Sequence, residues 1–283
     1  MQDAYIVSAL RTPIGKKKGS LSSIHPADLG AAILSATFDR VDLDPGLVED
    51  VIFGCVDTVG PQAGDIARTC WLAAGLPEHV PGTTVDRQCG SSQQAVHFAS
   101  QAIMSGTADV VIAGGVQNMN MIPISYAMLA GQALGFDDPF SGSTGWVKRY
   151  GNQEVSQFNS AQMIAEKWKI SRAEMESFAF ESHQKAMRAI NAKHFVDEII
   201  PIGDFYTDET PRAETSLEKM ASLNPIIDGH DITAAISSQN ADASSAILMV
   251  SEKILKEHNL TPLARVAHIS VRADDPIWML TAP

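Results

Sequence analysis

The chain has 283 residues, of which 45% are hydrophobic and 19% charged, with a net charge of −12. This composition is typical of a soluble globular protein of about two domains; it argues against a nucleic-acid partner, and no apolar run reaches the roughly 20 residues of a membrane helix. Its three cysteines form no Cys-x-x-Cys pair, which predicts no metal site and suits a reducing compartment. The first residues lack a signal-peptide pattern, so we expect a cytoplasmic protein with no membrane partner.

Strand and helix patterns alternate along the first 116 residues. Apolar strand patterns occur at residues 4–10, 48–56, 81–85 and 109–115. Helical spacing of apolar residues occurs at 28–41 and 65–74, and again after residue 90. This alternation is typical of an α/β protein with helices on both faces of the sheet.

Residues 117–155 break this alternation, because they are rich in Met, Ser, Gly, Pro and Tyr and have weak periodicity. A helix is predicted at 157–169, and Ser171 with Glu174 forms a capping box that opens a second helix running to about residue 192. Strand patterns return at residues 232–236, 246–250 and 263–271. We therefore expect one α/β domain, residues 1–116 plus 232–283, interrupted by an inserted loop subdomain, residues 117–231.

Cys89 stands where an extended run turns into a helical pattern, in the segment Gln88-Cys89-Gly90-Ser91-Ser92. Unpaired amides and the positive end of a helix dipole at this place stabilise a thiolate, the nucleophilic form of cysteine. A buried, inert cysteine is the alternative. Cys55 and Cys70 fall within strand and helix patterns and are predicted to be core residues.

Five segments, in order along the chain, carry a resemblance to a known family. They are Arg11-Thr12-Pro13-Ile14-Gly15-Lys16, Gln88-Cys89-Gly90-Ser91-Ser92, Gly114-Gly115-Val116-Gln117-Asn118-Met119, Thr215-Ser216-Leu217-Glu218-Lys219-Met220, and residues 233–246. Together they resemble the thiolases, which make or cleave 3-ketoacyl-CoA thioesters. The sequence around Cys89 is most similar to that of bacterial thiolases of steroid and other bulky-acyl catabolism. The resemblance implies the thiolase N-terminal fold, a mixed five-stranded sheet with helices on both faces.

The resemblance also implies roles for three residues. Cys89 matches the nucleophile that carries the acyl group as a thioester, with its backbone N–H as an oxyanion donor. Ser238 matches a serine that contacts the pantetheine arm of CoA, the alternative being an ordinary loop serine. Arg212 matches an arginine near the adenine-nucleotide end of CoA, the alternative being a solvated surface charge. The implied substrates are acyl-CoA and CoA, without a cofactor, and the implied assembly is a homodimer or homotetramer.

The sequence departs from the family pattern in several places. The Asn-Glu-Ala-Phe, His-Pro-x-Gly and Cys-x-Gly segments, which supply the catalytic histidine and the second cysteine, are not among these 283 residues. His25-Pro26 is a poor match for the catalytic histidine. Ser156-Gln157 stands where many thiolases have a His-Met pair that lines the acyl pocket. His183, like the other histidines outside the motifs, has no partner at metal-binding spacing and is predicted to have no functional role.

Three functions remain open from the sequence. The first is an acyl-CoA thiolase, cleaving 3-ketoacyl-CoA in lipid or steroid degradation. The second is a catalytically incomplete thiolase fragment or subunit that binds acyl-CoA or a partner protein, and the absent histidine and second cysteine motivate it. The third is a condensing enzyme similar to ketoacyl synthases, which share the fold and the nucleophile turn.

Overall fold

The computed structural model describes residues 2–282 and divides the chain into two compact units. Unit 1 contains the described residues up to 127 together with 195–210 and 240–269, and unit 2 contains 128–194, 211–239 and the described residues from 270 onwards. These bounds differ from the predicted insertion at 117–231, mainly because residues 195–210 belong with unit 1. Arg11 holds that segment through bonds to Asp208 (2.7 and 3.0 Å) and Glu198 (2.7 Å).

A single mixed sheet forms the centre of unit 1. Its strands are β1 (Ala4–Arg11), β2 (Gly15–Lys16), β3 (Asp50–Gly54), β4 (Gly82–Val85), β5 (Val110–Asn118), β6 (Ala241–Ser251) and β7 (Ala264–Arg265). The strand order is β4-β3-β5-β6-β1-β7, and β2 pairs with β6. Strand β3 runs parallel to β4 and β5, whereas β6 is antiparallel to β5, β1 and β2.

The predicted α/β class is confirmed, with two corrections to the strands. Within residues 2–282, five strands have four or more residues, and the two-residue strands β2 and β7 bring the total to seven where five were predicted. The strand predicted at 232–236 is wrong: Thr233 accepts a hydrogen bond from the Ala235 amide and caps a short 3-10 helix, Ala234–Ile236. The strand predicted at 263–271 is reduced to β7.

Nine α-helices occur in the described residues. They are α1 (Pro26–Arg40), α2 (Ile66–Ala73), α3 (Ser91–Ser105), α4 (Tyr126–Leu129), α5 (Thr144–Tyr150), α6 (Gln157–Trp168), α7 (Arg172–Asn191), α8 (Leu217–Ala221) and α9 (Glu252–Glu257). The predicted capping box at Ser171 and Glu174 is present at the start of α7. None of the helices in this part of the chain has the length and apolar character needed to cross a bilayer.

The core of unit 1 consists of two apolar clusters on opposite faces of the sheet. Helices α1, α2 and α9 cover one face, where Phe53 and Trp71 are fully buried. Helix α3 covers the other face through Ala95, Ala99 and Ile103. Alternate residues of β5 and β6 contribute to the two clusters, which explains why the runs at residues 110–113 and 246–250 are continuously apolar.

Candidate active site

Cys89 lies in the short turn that joins β4 to α3. Gly90 is the N-cap residue of α3, and the Cys89 thiol is exposed one residue before it. The first amides of a helix have no partner within the helix and carry the positive end of its dipole. The predicted position of Cys89 at a helix start is therefore confirmed.

Side-chain hydrogen bonds fix the backbone that precedes Cys89. The Asp86 carboxylate accepts from the Gln88 amide at 2.7 Å. The buried Ser91 hydroxyl accepts from the Arg87 amide at 2.8 Å and donates to the Gln88 carbonyl at 2.5 Å. These bonds hold Gln88 at a φ of +48°, a backbone conformation that costs a non-glycine residue on the order of 1 kcal/mol and is often found at functional sites.

Two glycines let the first turn of α3 approach the sheet closely. A Cβ on Gly54, the last residue of β3, would stand 2.2 Å from the Ser92 amide nitrogen. A Cβ on Gly115 of β5 would stand 2.1 Å from the Ser92 hydroxyl oxygen. Only glycine fits at either position, because real Cβ atoms do not come within 3.0 Å of such neighbours. The height of the Cys89 turn above the sheet is therefore set by these two residues.

Asn118, the last residue of β5, fixes the segment that follows it. Its side-chain amide donates to the carbonyls of Leu21 (3.2 Å) and Ile24 (2.9 Å), and its oxygen accepts from the Met121 amide at 2.8 Å. The Asn118 backbone amide donates to the buried Gln62 side chain at 2.7 Å. Asn118 thus joins three segments of unit 1 at the carboxyl end of β5.

Asp57 plays a similar part after β3. Its carboxylate accepts from the backbone amides of Ser125 (3.1 Å) and Ala127 (2.9 Å), and its carbonyl accepts from the Gln62 side chain at 2.7 Å. Because β3, β4 and β5 are parallel, their carboxyl ends share the edge of the sheet that Cys89 follows. That edge is where open α/β sheets bind their ligands. Sequence reasoning missed Asp57 and Gln62, which no motif marks; Asn118 falls inside the Gly114–Met119 segment.

The two residues expected to contact CoA lie on loops of unit 2. Arg212 is exposed, and its guanidinium donates to the Gln239 side-chain oxygen from Nε (3.4 Å) and Nη2 (3.2 Å). Ser238, directly before Gln239, is also exposed. The Arg212–Gln239 bonds therefore bring the loops of the two candidate residues together.

The other residues considered in the sequence analysis have structural roles in the fold. Cys55 and Cys70 are buried as predicted, and burial raises the pKa of each thiol to about 12, which keeps them protonated and unreactive. His25 caps α1, its Nδ1 accepting from the Ala27 amide at 3.1 Å. Ser156 is the N-cap of α6. Among residues 2–282, no group of three or more His, Cys, Asp or Glu side chains is arranged to hold a metal ion.

An exposed cysteine on a strained turn, at the carboxyl edge of parallel strands, is an arrangement suited to an enzyme that forms covalent intermediates. The thiolase N-terminal domain family matches residues 4–253. The whole chain is 56% identical to steroid 3-ketoacyl-CoA thiolase FadA6 of Mycobacterium tuberculosis, of which it covers 70%. It is 37% identical to a 3-ketoacyl-CoA thiolase of Aliivibrio salmonicida, of which it covers 73%.

Solved structures show the same likeness. The crystal structure of the Bacillus anthracis acetyl-CoA acetyltransferase superposes on 99% of this chain with a TM-score of 0.83 at 31% sequence identity, and 73% of that protein is covered. The chain therefore belongs to the thiolase family of acyltransferases, whose substrates are acyl-CoA and CoA. This match favours a thiolase over the condensing enzyme that was the third possibility from the sequence.

Proposed function

We propose that this chain supplies the nucleophile and a CoA-binding loop pair of a degradative thiolase that cleaves 3-ketoacyl-CoA with a bulky, steroid-type acyl group. The observation that carries the proposal is the Cys89 turn, an exposed thiol at the start of α3 on a backbone held by Asp86 and Ser91. The relative at 56% identity is named for steroid 3-ketoacyl-CoA, and that name supports the substrate class.

The first half of the reaction builds the acyl-enzyme. The Cys89 thiolate attacks the 3-keto carbon, and the backbone N–H of Cys89 is the proposed donor to the oxyanion that forms. The bond between carbons 2 and 3 then breaks. Its electron pair passes to the departing acetyl-CoA, which takes up one proton at carbon 2. Over the whole cycle this proton is balanced by the one that the CoA thiol releases before the second half. The remaining acyl group stays on Cys89 as a thioester.

The second half transfers that acyl group to CoA. The CoA thiolate attacks the thioester carbon, and Cys89 leaves as a thiolate, ready for another cycle. Splitting one acyl transfer into two thioester steps lowers each barrier. The groups that would move protons in the family, a histidine and a second cysteine, are not among these 283 residues, so the proposal for this chain covers nucleophilic attack and binding.

Ser238 and Arg212 are the proposed CoA contacts. In this proposal Ser238 contacts the amide-rich pantetheine arm. The Arg212 guanidinium binds the phosphate-bearing nucleotide end, for which arginine is suited. Ser156 and Gln157, in place of the family's His-Met pair, remove an imidazole and a thioether from the proposed acyl pocket. That change supports an altered acyl group.

Direct acylation of Cys89 tests the proposal. The chain is mixed with acetyl-CoA or a 3-ketoacyl-CoA, and the acyl adduct is located by intact-mass and peptide mass spectrometry. We expect one adduct on Cys89 in the native chain and none in Cys89→Ala, while Cys55→Ala, which changes a buried thiol, keeps the adduct. Equal acylation or turnover without Cys89 would contradict the role.

The same experiment separates a complete catalyst from a binding subunit. Steady turnover by the chain alone would support full catalysis. A single burst of acylation without turnover would support the alternative of a catalytically incomplete subunit.

Assembly and location complete the proposal. We expect at least a dimer, because large apolar side chains in unit 2 are exposed, including Leu134 (77%) and Phe136 (67%). Sedimentation analysis would test this, and a monomer at micromolar concentration would contradict it. The three cysteines are all free, which suits the reducing cytoplasm.

A further inference from the structure

His183 on helix α7 makes a contact that the sequence did not predict. Its Nδ1 accepts the backbone amide of Arg212 at 3.2 Å, across 29 positions of the chain. Arg212 is thereby held at two points, its backbone by His183 and its guanidinium by Gln239. The loop that carries Arg212 is otherwise exposed between residues 212 and 214.

The contact fixes the state of the imidazole ring. An Nδ1 that accepts a hydrogen bond is unprotonated, so the proton of the neutral ring is on Nε2. Burial, and then the nearby Arg212 charge, lower the pKa of His183. The ring therefore stays neutral at neutral pH and keeps the lone pair that holds Arg212.

In the part of the chain that the structure describes, these contacts occupy one edge of the Arg212 guanidinium and leave the other edge for a ligand. Gln239 takes the edge formed by Nε and one Nη2 proton. The other edge, formed by Nη1 and the second Nη2 proton, has the fork geometry that binds two phosphate oxygens.

We infer that His183 is a positioning residue for the nucleotide end of CoA, acting by fixing the Arg212 backbone so that the guanidinium presents its second edge to a phosphate group. The inference rests on the proposed role of Arg212. It predicts an effect on ligands that carry the nucleotide and no effect on ligands that end at pantetheine.

Two substitutions of similar size separate positioning from folding. In His183→Asn, the side-chain oxygen takes the place of Nδ1 and restores the acceptor. In His183→Gln, the amide reaches the place of Nε2 and leaves the Arg212 amide without its partner. Arg212→Ala removes the proposed phosphate contact itself, and Lys185→Ala, on an exposed part of α7, is the control.

The measurement is calorimetric titration of each full-length variant with CoA and with pantetheine. We expect His183→Gln to weaken CoA binding about fivefold to tenfold, the loss typical of one hydrogen bond, and His183→Asn to remain within about twofold of the native chain. Pantetheine affinity should not change in either variant. The Arg212→Ala, His183→Gln double variant should be no weaker than Arg212→Ala alone, because His183 acts through Arg212.

Failure of the inference differs from failure of the proposed function. If Arg212→Ala leaves CoA affinity unchanged, the proposed role of Arg212 is wrong, and the inference falls with it. If Arg212→Ala weakens binding but His183→Gln does not, the inference alone is wrong. If His183→Gln weakens CoA and pantetheine equally, His183 has a structural role only.

Discussion

Unit 1 and unit 2 are stabilised in different ways. All seven strands and both apolar clusters lie in unit 1, where residues such as Phe53, Trp71 and Met249 are fully buried. Unit 2 is built from helices and loops, and its buried apolar side chains are few and scattered, such as Ala165, Met220 and Ile232. Burial of apolar side chains is therefore the main source of stability in unit 1.

In unit 2, hydrogen bonds between side chains and distant backbone groups supply much of the stability. Arg172 donates from Nη2 to the carbonyls of Met220 (3.2 Å), Ala221 (3.1 Å) and Leu223 (2.7 Å), and from Nε to the buried Glu176 carboxylate (2.7 Å). The Gln162 side chain accepts from the Asp231 amide at 2.8 Å. The bonds from Arg172 to the three carbonyls and from Asp231 to Gln162 join segments of unit 2 that are distant in the chain.

This difference is consistent with the roles that we propose for the two units. A nucleophile on a strained turn needs a rigid support, because a residue held at an unfavourable φ relaxes wherever packing allows it. CoA is a long, flexible and polar ligand, and loops that are held by individual hydrogen bonds can offer it many polar contacts. Substitutions in the two units test this contrast, and we expect the largest effect where the packing is tightest.

Gly54→Ala should produce the largest effect. The new methyl group would overlap the backbone of Ser91 and Ser92, with its Cβ 2.4 Å from the Ser91 carbonyl carbon and 2.2 Å from the Ser92 amide nitrogen. The start of α3 must then move away from the sheet. We expect the free energy of unfolding of unit 1 to fall by roughly 3 kcal/mol, the upper range for overpacking, and Cys89 acylation to slow markedly.

Gly145→Ala in α5 is the matched control in unit 2. A Cβ there would meet no described heavy atom within 4 Å, so the substitution should be neutral or stabilising by about 0.5 kcal/mol. Urea unfolding and the rate of acylation measure both variants. A Gly54→Ala protein with native stability would show that α3 can shift freely, and the contrast between the units would fail.

Arg172→Ala should have the next largest effect, confined to unit 2. It removes the bonds to three carbonyls and leaves the carboxylate of Glu176, which is only 5% exposed, without its partner. We expect a loss of about 2 kcal/mol, typical of hydrogen bonds to a charged group. Hydrogen exchange should accelerate at residues 217–223 and stay unchanged in the strands of unit 1.

Two further variants sharpen this result. Arg172→Lys keeps the charge but lacks the planar fork, so it should recover only part of the loss. Lys185→Ala removes an ion pair whose partners are each 65% exposed and should change exchange very little. Acceleration spread evenly over both units after Arg172→Ala would contradict a local role for Arg172.

Much of unit 1 could be predicted from local patterns. Apolar runs that alternate with helical patterns predicted β1, β3 and β5. The Gly-Ser-Ser run after Cys89 indicated a helix start, because short polar side chains suit a first turn. Residues 232–236 misled the same reasoning. Their apolar run resembled a strand, but Thr233 is fully buried and caps a 3-10 turn instead.

The ties between distant segments could not be predicted. His183 has no neighbour in sequence that suggests a role, and its partner is the Arg212 amide, a group that every non-proline residue has. Asp57 likewise binds the amides of Ser125 and Ala127, about 70 positions away. Because almost every residue has a backbone amide, the sequence does not indicate which amide a side chain will bind. Such hydrogen bonds can be identified only once the fold is known.

Ser171→Ala tests a stabilising feature of unit 2 that the sequence did predict. The substitution removes the acceptor of the Glu174 amide (3.3 Å) and the hydroxyl that donates to the Glu174 carboxylate (2.7 Å). We expect α7 to lose about 1 kcal/mol, the usual value of an N-cap. Ser182→Ala, at an exposed position within the same helix, should instead be neutral or slightly stabilising, because alanine is the better helix former. Equal urea midpoints for the two variants would show that the Ser171 cap does not stabilise unit 2.

The smallest expected effect is a pH dependence of unit 2 that arises from His183. Burial, and then Arg212, lower the pKa of His183 in the folded chain below its ordinary value of 6.5. The unfolded chain therefore binds the proton more readily. The stabilising contribution of this group is complete above about pH 6.5 and is lost as the pH falls through the folded-state pKa. His183→Asn keeps the acceptor but cannot titrate, so below pH 6.5 the melting temperature of the native chain should fall faster than that of the variant. Parallel melting curves from pH 8 to pH 5 would show that protonation of His183 does not weaken its hold on Arg212.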